Sequence, residues 1–198
     1  MKTKISNPMP LGTITSSVKR GLSSSYLKDG DTEVRLIKAK DISENGLLNT
    51  DTVDMQTVKK TAALDKAQLQ ENDILITLKG NSFKIALVPE HAQGFVVSAN
   101  IIALKIDDKK IRPEIVAWYL KSPPGMHQIQ KCAAGSALMS LNTTHLLEIK
   151  IPVPSLEKQE IIASYLKELA EYNDIIEHEK EIVSKISASI LEKLMGGE

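Results

Sequence analysis

The chain has 198 residues, 42% of them hydrophobic and 25% charged, with one cysteine and a formal net charge of zero. That length holds one full-sized core with an appendage rather than two large domains, and the composition excludes a disordered or collagen-like chain. A lone cysteine excludes an internal disulfide, no charged-then-apolar leader is read at the N-terminus, and the longest apolar runs fall far short of the roughly 20 residues of a membrane helix. The expected setting is therefore the cytoplasm, with no membrane partner.

The neutral total conceals a split. Residues 151–198 hold 5 lysines against 10 carboxylates, net −5, and residues 1–150 hold 20 basic against 15 acidic side chains, net +5. The first part suits a phosphate-bearing partner and the acidic tail does not.

In chain order, residues 1–10 (MKTKISNPMP) read as a tethered arm. Leu11 to Val18 alternates like a strand, and Lys19-Arg20-Gly21 with the following serines breaks it into an exposed polar loop. Val34 to Ile42 predicts a second strand, and Asn45-Gly46 a hairpin or tight reversal. Asn49 to Leu69 reads mostly as loop, with a short helical stretch near Leu64–Leu69. Asp73–Leu78, Lys84–Val88 and Phe95–Ile106 are β-rich runs, expected to be consecutive strands of one curved sheet. Pro113 opens a helix that Pro123-Pro124 ends, and a second short helix runs from about Gly125 to Ala133. Thr143 or Thr144 is expected to cap a turn, and Ile149–Val153 is an edge strand marked by proline.

Beyond Pro154 the sequence reads as one helix with Ser155 as N-cap and Gly196-Gly197 at its end. Ile162, Leu169, Ile176, Val183 and Ile190 recur every seven residues, with Tyr165, Tyr172 and Ile186 three positions further on. This is a heptad seam. About 40 residues at 1.5 Å each make a rod of roughly 60 Å, too long to bury on so small a body. The seam therefore calls for a partner helix, the alternative being packing against its own domain. The expected fold is α+β: a β-rich domain over residues 1–153 with a few short helices, then a coiled-coil helix over 154–198.

Catalytic signatures are missing. The sequence has no phosphate-binding G-x-x-x-x-G-K-[ST], no G-x-G-x-x-G, no H-E-x-x-H and no C-x-x-C. His91, His127, His145 and His178 are scattered without metal-ligand spacing. Asp73 with Lys79 lacks the second carboxylate of a nuclease site, and Glu177-His178-Glu179 reads as a solvated helix face. No catalytic residue, metal or cofactor is assigned.

Three loops carry the chemistry that is present. The first is Lys19, Arg20, Ser23, Ser24, Ser25 and Tyr26 around Gly21, where cations and short hydroxyls suit phosphate and groove contacts. Lys79, Gly80, Asn81, Ser82 and Lys84 repeat the recipe, and Asn and Arg make paired hydrogen bonds to base edges. The third loop spans Lys131 to Asn142, with Ser136 at its centre. Gly, Ser, Asn and Lys also populate any surface turn, so each loop alone is equally an ordinary turn.

The order of segments is more specific. LGTITSSVKRGLSSSY, KAKDISENG, ENDILITLKGNSFKIALVPE, SANIIALKI, PEIVAWYLKSPPG and AAGSALMSLNTTHLLEIKIPVPSLEKQ, followed by a long helix, resemble the specificity subunits of type I restriction–modification enzymes. The likeness runs from about Leu11 to Leu194 and is sharpest over Ile149–Gln159, similar to the junction between a target recognition domain and its spacer helix. In that family a full subunit has two recognition domains and two such helices packed antiparallel. Here there is one of each, which implies a half-length subunit that restores the pair as a homodimer and reads double-stranded DNA as an inverted, bipartite site. The resemblance also implies methyltransferase subunits as partners, restriction subunits joining through them, and a non-catalytic role in phage defence. S-adenosylmethionine and ATP then belong to those partners. The alternative is an assembly or inhibitory protein that engages such subunits through its helix without reading DNA.

Overall fold

The computed structural model describes residues 8–26, 30–80, 82–133 and 140–195. It is α+β, with two compact units, Met1–Gln159 and Glu160–Glu198.

In the first unit, β1 (Met9–Pro10) pairs antiparallel with β9 (Lys150–Ile151). The end of the supposed arm is thus built into the fold. The stretch read as one alternating strand from Leu11 divides in two. Leu11–Ile14 is a single helical turn, α1, and β2 is Thr15–Arg20. The reason is packing: Leu11 and Ile14, three apart, are both fully buried, and Thr15 Oγ1 donates to the Leu11 carbonyl at 2.8 Å.

Strand β3 (Thr32–Ile37) ends in a 3₁₀ turn at Ala39–Asp41, short of the predicted Ile42. The expected reversal at Asn45-Gly46 forms: Gly46 has φ +79°, and Ile42 bridges Leu48 in antiparallel sense. The segment read mostly as loop holds β4 (Met55–Val58) and α2 (Ala62–Ala67), the latter capped by Thr61 Oγ1. Among the described residues strand β4 pairs only with β3, and its MQTV sequence is half polar, the pattern of an edge strand with one face open to water.

Strands β5 (Ile74–Thr77), β6 (Ile85–Leu87), β7 (Val96–Val97) and β8 (Ile101–Ile106) follow. They do not form one sheet. The four-stranded sheet has the order β2-β8-β5-β6, and β7 joins a second sheet, β4-β3-β7, parallel to β3. A turn at Ala99-Asn100 separates β7 from β8 and sends the two halves of the run into different sheets. Ile74, Leu75 and Ile76 are fully buried; such a side chain contributes about 1.5–3 kcal/mol of burial energy.

Helix α3 (Pro113–Lys121) has proline in its first turn, as predicted, and α4 (Pro123–Ala133) begins directly at the two prolines. Asn142, rather than either threonine, caps α5 (Thr143–Glu148) by accepting from the Thr144 amide at 2.8 Å.

Helix α6 spans Leu156–Met195, 40 residues. Its first turn belongs to the first unit. Gln159 is 3% exposed, accepts from the Arg112 amide at 3.0 Å and donates to the Lys110 and Pro154 carbonyls at 3.2 and 3.0 Å. These bonds hold the first turn of α6 to the first unit, which runs on to Gln159. No helix among the described residues is long and apolar enough to cross a membrane.

Candidate nucleic-acid interface

Register places two of the three predicted loops together. In the four-stranded sheet Arg20 pairs with Ile102 and Thr77 with Ile101, so β2 and β5 both finish where β8 begins. The Gly21–Tyr26 and Leu78–Lys84 segments consequently leave the same end of the sheet. Leu78 donates to the Asn100 carbonyl at 2.7 Å, Leu141 donates to the Leu78 carbonyl at 2.8 Å, and Lys79 bridges Ser140. Those bonds bring Ser140 and Leu141, near the end of the third loop, to that end as well.

The individual side chains differ from the sequence reading. Lys19 and Arg20 lie in β2, not in a loop. The Lys19 ammonium contacts Asp73 Oδ2 at 2.7 Å and donates to the Gln68 carbonyl at 2.9 Å, which leaves its side chain only 13% exposed. Its charge is neutralised within the fold. Lys84 is similarly engaged: its Nζ donates to the Ile42 carbonyl at 2.7 Å and lies 3.3 Å from Glu44 Oε1. Ser82 Oγ donates to the same Glu44 carboxylate. Asn142 is occupied as a helix cap. These four side chains hold the scaffold, and all but Asn142 do so through partners far away in sequence.

Gly21 also changes meaning. A Cβ there would sit 1.9 Å from the Ser98 carbonyl oxygen, so the glycine admits a close approach of the protein's own backbone, which the Leu22 amide seals at 2.7 Å from the Val97 carbonyl. Beyond it, Ser25 Oγ donates to Ser23 Oγ at 3.2 Å, Tyr26 is half-buried, and the Tyr26 carbonyl accepts from the Lys59 amide at 3.3 Å. Lys79, Gly80 and Lys131 are exposed. Asn81 and Ser136, and the side chain of Ser24, lie outside the described residues.

A cleft of about 880 Å³ runs along β2 from Ser17 to Arg20, with α2 and the Gln68–Gln70 segment on its other sides. Sequence reasoning missed its Lys66, Gln68, Gln70 and Gln93, along with the exposed pair Lys59-Lys60 that precedes α2. The alternation of Gln68 and Gln70 about the buried Leu69 was the available signal.

No group of three or more His, Cys, Asp or Glu able to hold a metal occurs among the described residues. Cys132 Sγ lies 3.4 Å from the His145 carbonyl, and its thiol is pushed up from the usual cysteine range by burial and by the Glu148 carboxylate.

Along α6, Tyr165, Tyr172, Val183, Ile186 and Ile190 are more than half exposed, and Ile162, Leu169 and Ile176 are partly exposed. The heptad stripe is thus apolar and largely open to solvent, a surface of the kind that pairs with another helix.

Comparison with known proteins agrees with this architecture. The solved structure of an HsdS subunit from Thermoanaerobacter tengcongensis superposes with a TM-score of 0.64 at 17% identity, covering 94% of this chain and 47% of that one. The S subunit of a type I restriction–modification system from M. genitalium gives 0.61 at 17% identity over 98% of this chain and 47% of its own. Both show a shared fold. In sequence, the chain is 27% identical to the EcoBI type I restriction enzyme specificity subunit of Escherichia coli, over 87% of this chain and 36% of the relative. The MjaVIII specificity subunit of Methanocaldococcus jannaschii is 26% identical over 65% of this chain and 31% of the relative. The chain therefore spans about a third of the length of these curated relatives and about half of the solved ones. The family described as the type I restriction modification DNA specificity domain matches residues 11–185, most of the sequence. With that match, and with the fold it shares, this chain belongs to the type I restriction–modification specificity family.

Proposed function

We propose that this chain is a non-catalytic, half-length specificity subunit that reads double-stranded DNA as a homodimer in the cytoplasm. The observation that carries the reading is that two of the predicted loops leave one end of the β2-β8-β5-β6 sheet, where the Leu78–Leu141 hydrogen bond also ties the end of the third. Irregular loops displayed on a rigid sheet present mixed cations, hydroxyls and amides at fixed positions, which is what base and phosphate contacts need.

The apolar stripe of α6 supports pairing with the α6 of a second copy, giving an antiparallel coiled coil. Two-fold pairing presents identical reading heads in opposite orientations, so the target is two inverted half-sites around an unread gap. Methyltransferase subunits dock on the dimer and restriction subunits join through them. S-adenosylmethionine and ATP are used by those partners.

The test is to co-express the chain with its methyltransferase subunit and map methylated bases by single-molecule sequencing. An inverted bipartite motif is expected; methylation at no defined motif overturns the reading. In parallel, Ile176→Glu with Val183→Glu is expected to halve the mass by light scattering, and an unchanged mass refutes pairing through the seam.

A further inference from the structure

The three loops leave the cleft between β2 and α2 without a role. One wall is the extended segment Gln68–Gln70, and its backbone is fixed from several sides. Gln68 bridges Val96, the Leu69 amide donates to the Phe95 carbonyl at 2.8 Å, and the Gly94 amide donates to the Leu69 carbonyl at 3.0 Å. Beneath it, Lys19 Nζ holds the Gln68 carbonyl and Asp73 Oδ2 accepts the Gln70 amide at 2.9 Å. Leu69 is 1% exposed. Neighbours on an extended segment face opposite ways, so burying Leu69 presents both Gln68 and Gln70 to the cleft, where both are exposed. Residues two apart in extended chain are about 6.6–6.8 Å apart. Successive phosphates on one strand of a duplex rise about 3.4 Å along the axis but also wind around it, so the distance between neighbours is roughly twice that rise, a match to the same spacing.

The β2 and α2 walls contribute Arg20 and Lys66, both exposed. Among the described residues neither makes a side-chain hydrogen bond or ion pair, and Asp65 is the one carboxylate lining the cleft. Shape decides between the two parts of DNA that such a surface could take. Base edges lie at the floor of a groove and are reached by protruding elements, whereas the sugar–phosphate backbone is a ridge and fits a concavity.

We infer that the β2–α2 cleft holds the sugar–phosphate backbone of one DNA strand, with Arg20 and Lys66 taking up phosphate charge and Gln68 and Gln70 donating amide hydrogens to successive phosphates. The inference rests on the proposed reading of DNA and assigns a division of labour within it: the sheet-end loops read bases, and the cleft sets register. Arg20 is accordingly a positioning residue with no base of its own.

The experiment uses the full-length chain and a pool of random-sequence duplexes, with sequencing of the bound fraction and affinity measured across a salt series. The variants are Arg20→Ala, Lys66→Gln and Gln68→Ala with Gln70→Ala. Lys66→Gln changes an exposed helical position to a good helix former, so it tests the idea with the fold unaltered. Arg20→Ala and Lys66→Gln are each expected to lower affinity for every sequence by roughly tenfold and to reduce the slope of log affinity against log salt by about 0.9 for each phosphate no longer neutralised. The glutamine pair is expected to lower affinity uniformly with the slope unchanged, and the enriched motif should be that of the unaltered chain in every case. Relaxation of one motif position in any variant overturns the inference in favour of base reading. Unchanged affinity and slope overturn it too, while leaving DNA recognition intact. If the unaltered chain binds no duplex and enriches no motif, the recognition reading itself falls, and this inference with it.

Discussion

The ammonium of Lys19 and the carboxylate of Asp73 meet at 2.7 Å beneath the cleft, and Asp73 is fully buried. Oδ2 of Asp73 also accepts from the Gln70 amide, and its Oδ1 has no hydrogen-bond partner among the described residues. One ion pair thus ties β2 to the segment that lines the cleft, across 54 positions of sequence.

Removing one partner of such a pair leaves the other charge stranded. Lys19→Met and Asp73→Leu should each destabilise the fold by about 3 kcal/mol, and the double variant should lose less than the two single losses combined. Urea denaturation of the four proteins measures the coupling. Additive losses would mean that the two side chains do not interact.

Gly21 should tolerate no side chain. The Cβ of Gly21→Ala would fall against Ser98 backbone rather than a movable side chain, and the hydrogen bonds of Gly21 and Leu22 to Ile101 and Val97 hold that backbone in place. A loss of about 3 kcal/mol is expected, typical of overpacking at a site that cannot relax. Thermal unfolding checks it, and a variant as stable as the parent would show that the β2–β7 junction yields.

Asp54 gives a pH signature. Hydrogen bonds and charge from Lys38, at 2.7 Å, and Lys40, at 3.3 Å, hold its carboxyl below the ordinary 3.8. A depressed carboxyl stabilises the folded state above its unfolded value, and that contribution is lost as pH falls through the folded one. The stability gap between the parent and Asp54→Asn should therefore be flat from about pH 5 to 7 and close as pH falls below the ordinary carboxylate value. A gap that is the same at about pH 3 and about pH 6 would argue against the assignment.

The sequence by itself determined the elements whose signals are local. Val, Ile and Leu runs fixed β5, β6 and β8; Pro113 and the proline pair fixed the limits of α3; Asn45-Gly46 fixed a reversal; and the seven-residue recurrence fixed α6. The order of motifs along the chain was enough to point to the family. Only the tertiary structure decided which strands share a sheet, because pairing depends on long-range register that no local pattern encodes; hence the run Phe95–Ile106 was split between two sheets. The same holds for the interface. Composition marked Lys19, Lys84 and Asn142 as free polar groups, and folding engaged all three with partners, two of them distant in sequence. Lys66, Gln68 and Gln70 sit in a stretch with weak periodicity, and their grouping with Arg20 arises from the packing of α2 and the Leu69 segment beside β2.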